Sequence, residues 1–203
     1  MIRSIIPLVL ATALSAAAQE PGDPFEQVKA NMIRAACCRF EFLSIIESQV
    51  FESVDTTEGM ALIAADGRYF IRVGSDQYLK TADKLYSYSG QENQVTVEVV
   101  SDNASSHETV SFVTRLDDYY SASERTPDRE YYLARRDSSA SNLPDSMIVV
   151  LTGKKPRLER LEYYDINDDL NRIVFTGVEY LDRCDGSTFM PRFPDSAQVI
   201  NLQ

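Results

Sequence analysis

The stretch Gly59-Met60-Ala61-Leu62-Ile63-Ala64-Ala65-Asp66-Gly67-Arg68-Tyr69-Phe70-Ile71-Arg72-Val73 decides the fold. Two apolar and aromatic runs flank Asp66-Gly67, and Asp-Gly between such runs is a hairpin signal. The pattern continues downstream. Strands are expected over residues 60–64, 69–73, 77–82, 85–88 and 94–100, with breaks at Gly74-Ser75, Ala82-Asp83 and Gly90-Gln91. No gap is long enough for a parallel crossover helix, so the sheet is expected to be antiparallel and meandering.

Upstream, residues 25–36 read as a helix with Asp23 as cap and Pro24 at its first position. Phe25, Val28, Met32 and Ile33 are expected to share one face. A long strand follows, with Phe40, Phe42, Ser44 and Ile46 on one side and Glu41, Leu43, Ile45 and Glu47 on the other. Thr56-Thr57-Glu58-Gly59 reads as a turn. Downstream, residues 108–116 turn helix-like through Val110, Phe112, Val113 and Leu116. Strands resume over 119–123, 131–135, 147–152, 158–165 and 172–180, with a polar loop at 138–145. The proline-punctuated Phe189-Met190-Pro191-Arg192-Phe193-Pro194 fits an edge or a non-strand segment. A sheet of this many strands must close, curl or be covered. The two helical segments suggest a lid over one concave face.

The first residues carry the three parts of a secretory signal peptide: Arg3, the apolar run from Ile5 to Leu14, and the small residues Ser15-Ala16-Ala17-Ala18. The expected organisation is a leader over residues 1–18 and a single domain over 19–203. The run is shorter than the ~20 residues that span a bilayer. No cysteine stands near the cut for acylation, so the product is expected to be free in the periplasm.

The chain has 31 Asp and Glu against 20 Lys and Arg, a net charge of −11. Such acidity argues against nucleic-acid binding, whose affinity rests on cationic contacts to phosphate. It argues equally against lying on anionic lipid. The three cysteines are Cys37, Cys38 and Cys184. Neighbours on a strand face opposite ways, so only one of Cys37 and Cys38 can easily meet Cys184. One bridge and one buried free thiol are expected, and the spacing leaves open which cysteine pairs.

No convergent chemistry is visible. His107 is the sole histidine and sits in the polar run Ser105-Ser106-His107-Glu108, so neither a zinc site nor a histidine-activated nucleophile is expected. Asp165-Ile166-Asn167-Asp168-Asp169 begins like a calcium loop but carries Leu170 where the sharp-turn glycine belongs. It reads as a hairpin turn. Asp117-Asp118 reads as the solvated end of the second helix. No metal or other cofactor is expected. The 11 tyrosines fall nearly all in expected strands, where each offers an apolar ring and a polar tip.

The run Gly59 to Val73, then Asp83-Lys84-Leu85-Tyr86-Ser87-Tyr88, then Gln94-Val95-Thr96-Val97 resembles the outer-membrane lipoprotein carrier family (LolA-type). The ending is similar too, through Phe189-Met190-Pro191, Phe193-Pro194-Asp195 and Val199-Ile200. Tyr86 stands where the family has tryptophan. Ala64-Ala65-Asp66 stands where the family carries a basic residue thought to bond the lid. The resemblance implies an incomplete antiparallel β-barrel lidded by short helices. It also implies a periplasmic carrier whose apolar cavity holds the acyl chains of lipoproteins, which pass from an inner-membrane release complex to an outer-membrane acceptor.

Alternation nominates Phe40, Phe42 and Ile46 from the long strand as cavity lining, with Met60, Leu62, Tyr69, Ile71 and Val73 from the hairpin. It adds Leu85, Val95, Val97 and Val99 from the next pair, and Ile148, Val150, Leu161 and Phe175 from the last strands. Val28, Met32, Phe112 and Leu116 would form the lid. Alternation leaves open which face of each strand is concave. The expected state is a monomeric carrier without catalytic residues. A lipid-sensing or protein-interaction module of the cell envelope on the same scaffold is the second reading.

Overall fold

The computed structural model describes residues 22–100, 111–114, 116–136 and 143–202. The expected leader, His107 and the 138–142 part of the polar loop lie outside them, as do residues 108–110 and 115 of the expected second helix.

The chain opens with helix α1 (Pro24–Arg34). Asp23 caps it, its carboxylate accepting from the Phe25 N–H at 2.9 Å, and Pro24 occupies the first turn, where no donor is needed. Phe25, Val28 and Met32 are buried. Ile33, expected on the same face, is instead 70% exposed, because it lies about 100° round the helix from buried Met32, at the margin of the buried stripe.

Twelve strands follow: β1 (Cys37–Ser48), β2 (Ser53–Ala64), β3 (Tyr69–Val73), β4 (Asp76–Lys80), β5 (Lys84–Ser89) and β6 (Gln94–Val99), then β7 (Tyr120–Thr126), β8 (Glu130–Arg135), β9 (Ser146–Leu151), β10 (Leu158–Tyr164), β11 (Leu170–Leu181) and β12 (Gln198–Asn201). They form one sheet in the order β12-β6-β5-β4-β3-β2-β1-β11-β10-β9-β8-β7. Two antiparallel meanders are therefore joined at a single seam, β1 against β11. Among the described residues the one parallel pair is β12 on β6 at the edge, a departure from the purely antiparallel expectation.

Between β6 and β7 the chain forms a 3-10 turn (Ser111–Thr114) and the short helix α2 (Leu116–Tyr119). At ~4.8 Å per strand a flat sheet of this size would be about 50 Å wide. Yet Val113 and Leu116 share one packed cluster with Ile71 of β3 and with Tyr120 and Leu133 of β7 and β8. The sheet curls around the helices without closing.

The expected turn at Thr56-Thr57-Glu58-Gly59 is strand. Thr56 and Thr57 are β-branched residues inside β2, and the chain reverses earlier, at residues 49–52, where Glu52 takes φ 49°. Gly59 serves a different purpose: a Cβ there would lie 2.3 Å from Cε2 of its cross-strand partner Phe42, whose ring covers it. The Asp165 segment is the β10–β11 turn that the sequence suggested, its Oδ1 accepting from the Asn167 N–H at 2.8 Å. No cluster of potential metal ligands occurs among the described residues.

Candidate functional site

The strand faces sort themselves by what covers them. On β1, Cys38 and Phe40 face α1, and on β2 Ala61 and Ile63 do so. Tyr69 and Ile71 continue this surface on β3. Tyr131, Leu133, Met147, Val149 and Leu161 continue it on β8, β9 and β10. A rim of half-buried side chains borders the cluster, including Phe42, Val73, Leu85, Tyr163, Ile173 and Phe175.

Two irregularities keep the apolar side chains on this face. On β11 Phe42 pairs with Phe175 but Glu41 pairs with Gly177, so Thr176 is an extra residue. Ile173 and Phe175 before it, and Val178 and Tyr180 after it, thereby point the same way. On β10 a register shift between Leu158 and Arg160 likewise brings Leu158 and Leu161 to one face.

α1 is held over this surface at its start and at its middle. Phe25 stacks on Tyr131 with ring centroids 4.7 Å apart, and the Tyr131 hydroxyl donates to the Asp23 carboxylate at 2.7 Å. Further along, Lys29 Nζ lies 2.8 Å from Asp117 of α2 and 2.6 Å from Glu26. Burial alone would lower the Lys29 pKa, but the bonds to Asp117 and Glu26 outweigh it and hold the ammonium charged. Asp117 is solvated, as expected, and also clasps the two helices together.

Beneath α1 the face is filled: Phe40, Leu133, Tyr69 and Leu161 are all at most 2% exposed. Space opens where α1 meets the turn Ser111–Thr114. A cleft of about 240 Å³ runs between Met32, Ile33, Cys38, Ile63 and Thr114. A second, of about 180 Å³, lies between Lys29, Met32, Ile33, Val113 and Leu116. The two share Met32, Ile33 and Thr114, so exposed Ile33 stands between two openings onto the core.

The face is electrostatically quiet. Burial pushes the hydroxyls of Tyr69 and Tyr180 up to about 12 and the Cys38 thiol up to about 11, so each stays neutral near pH 7. Cys38 is free and buried, while Cys37, pointing the other way, is bridged to Cys184 with Cα atoms 5.4 Å apart. Such a surface can take up apolar groups.

Of the nominated lining residues, Phe40, Phe42, Tyr69, Ile71, Val73, Leu85, Leu161 and Phe175 lie on this face. Ile46 continues the Phe42 side at the far end of β1, where it is exposed. Val28, Met32 and Leu116 lie in the lid layer, and the Phe112 side chain is outside the described set.

The others fall on the outer face. Leu62 packs with Leu79 and Phe189, and Val95 and Val97 pack under Phe193 and Ala197 of the C-terminal segment. Met60 borders an outer groove. Ile148 and Val150 alternate with the inward Met147, Val149 and Leu151, and Val99 is exposed. Arg68 pairs with Asp66 and lies over the Phe189 ring on the outer face. Ile63, Met147 and Val149 escaped the sequence reading because each sits one residue out of phase with a nominated neighbour, whereas Tyr163 and Ile173 are in phase with the nominated Leu161 and Phe175 and simply extend their stripes.

The architecture defines an open, curled β-sheet with a helix-covered apolar face. No protein-family model matches the chain, and no curated protein sequence matches it. Solved structures do. An uncharacterised conserved protein from Thermus thermophilus is 12% identical with a TM-score of 0.52, covering 91% of this chain and 100% of that one. A putative outer-membrane lipoprotein-sorting protein domain from Vibrio parahaemolyticus is 10% identical with a TM-score of 0.46, covering 82% and 94%. A LolA-superfamily protein from Nitrosomonas europaea is 10% identical with a TM-score of 0.43, covering 80% and 94%. The first supports a common fold; the lower scores of the other two carry no inference.

Proposed function

We propose that the chain is an exported periplasmic carrier, free of its leader, that binds the acyl chains of lipoproteins on the helix-covered face and catalyses nothing. The observation that carries this reading is the apolar layer of strand and helix side chains that continues, at Met32 and Ile33, into two clefts and an exposed apolar side chain. Acyl chains gain about 0.8 kcal/mol per buried CH₂, so lipidated cargo does not cross water unshielded. Each cleft is smaller than the ~300–1,000 Å³ of ordinary ligand pockets. Cargo therefore enters by parting α1 from the turn Ser111–Thr114, and the charged Lys29–Asp117 clasp resists that movement. A lid that must be displaced suits a carrier, which has to release what it holds. The disulfide between Cys37 and Cys184 fits an oxidising compartment.

The test is mass spectrometry of material bound to protein taken from its native compartment, with Ile33→Asp and Ile46→Asp as variants. Both positions are exposed, so folding is spared. The expected result is co-purifying lipid or lipoprotein, reduced at least several-fold by Ile33→Asp. Delipidated protein that takes up neither fatty acid nor acylated peptide overturns the reading.

A further inference from the structure

The overhang of β2 carries an inference independent of the covered face. β1 pairs with β2 from Ser53 to Ala64, but β3 pairs with it only from Gly59 to Ile63. Residues 53–58 are thus a bare strand edge near the middle of the sheet. The Gly74 N–H donates to the Glu58 carbonyl at 2.9 Å, which fixes the phase: even-numbered residues of β2 turn their backbone groups away from β1. The N–H and C=O of Val54 and Thr56 and the N–H of Glu58 are therefore offered outward, with no strand partner among the described residues.

The side chains around this edge are of two kinds. Glu52, Asp55 and Glu58 are exposed, and no cationic side chain pairs with them among the described residues. Val50, Phe51 and Val54 are exposed apolar groups, Val54 at 64%. A second copy suits this edge poorly, because it would set three such carboxylates from each chain together, on chains that already carry −11. We propose that the edge takes up an extended segment of a partner protein, basic residues alternating with apolar ones, as an added antiparallel strand. Main-chain bonds to Val54 and Thr56 would supply affinity, and Glu58 on one face of the strand and Asp55 on the other would each attract Lys or Arg.

The probe is a fluorescent peptide, Lys-Val-Lys-Thr-Lys-Val-Lys, titrated against the full chain. Saturable binding is expected. Methylation of the peptide's alternate backbone nitrogens, or Thr56→Pro, should weaken it about tenfold or more by deleting edge hydrogen bonds. Thr56→Pro removes only an outward N–H and leaves the β1 ladder intact. Should that variant misfold by circular dichroism, the methylated peptide against the unaltered chain decides. A peptide with Glu for Lys should not bind. Binding that tolerates methylation, or equal binding of the Glu peptide, overturns the proposal. So does a dimer in sedimentation that Thr56→Pro dissolves, or docking to phosphatidylcholine vesicles through Phe51 with no peptide binding.

Discussion

At the scale of single residues, burial decides the chemistry of this protein. Cys38 is 2% exposed and its thiol is pushed up to about 11, so it should resist maleimide and disulfide reagents in the native state and react only on unfolding. Burial likewise raises Tyr69, Tyr120 and Tyr180 to about 12. A group whose folded pKa lies above its unfolded value contributes stability that is complete below the unfolded value and is lost as pH rises through the folded one. Stability should therefore hold to about pH 8.5 and fall between about pH 9 and 12, where these groups ionise in the unfolded chain first. Urea midpoints at a series of pH values, with tyrosinate absorbance near 295 nm, read this directly; a midpoint unchanged up to about pH 11 contradicts it.

At the scale of elements, α1 is the part whose placement matters most. Asp23 accepts from both the Phe25 N–H and the Tyr131 hydroxyl, so Asp23→Ala removes a cap and strands a buried donor together. The expected cost is about 1–3 kcal/mol, and amide exchange should rise first in the opening turn of α1. Uniform exchange across the chain would show that α1 is not separately anchored. α1 was legible in the sequence because its cap, its Pro24 and its buried stripe are local signals. The hairpin strands were legible for the same reason, as was the split of Cys37 from Cys38, which needs only alternation. The covered face was not. Val95-Thr96-Val97 and Ile71-Arg72-Val73 carry the same pattern, yet only the second pair of apolar side chains faces α1, because Phe193 returns from far along the chain to bury the first. The extra Thr176 flips the phase of β11 with no composition signal at all. Thr56-Thr57 resembles a turn until Phe42 is placed across Gly59.

At the scale of the whole molecule, the Cys37–Cys184 bridge pins the outer-face C-terminal segment to the first residue of β1 across 147 positions of sequence. Replacing both cysteines by alanine should cost about 2–5 kcal/mol, mostly through the freedom restored to the unfolded chain. Denaturant titration of the oxidised and double-substituted chains measures this, and equal midpoints would remove the bridge from any account of stability. The same substitution should leave acyl binding nearly unchanged, since the bridge and the clefts lie on opposite faces.

The β1–β11 seam has a consequence for how the chain comes together. Its contacts join Cys37 to Leu181, whereas each meander is built from neighbours in sequence. Local pairings form early and the distant seam late, since loop closure must precede its reward. A growing polypeptide therefore cannot settle into its final shape until β11, which starts more than 130 residues after β1 starts, has been made. Fast local ordering followed by a slow closing phase is the expected kinetic signature.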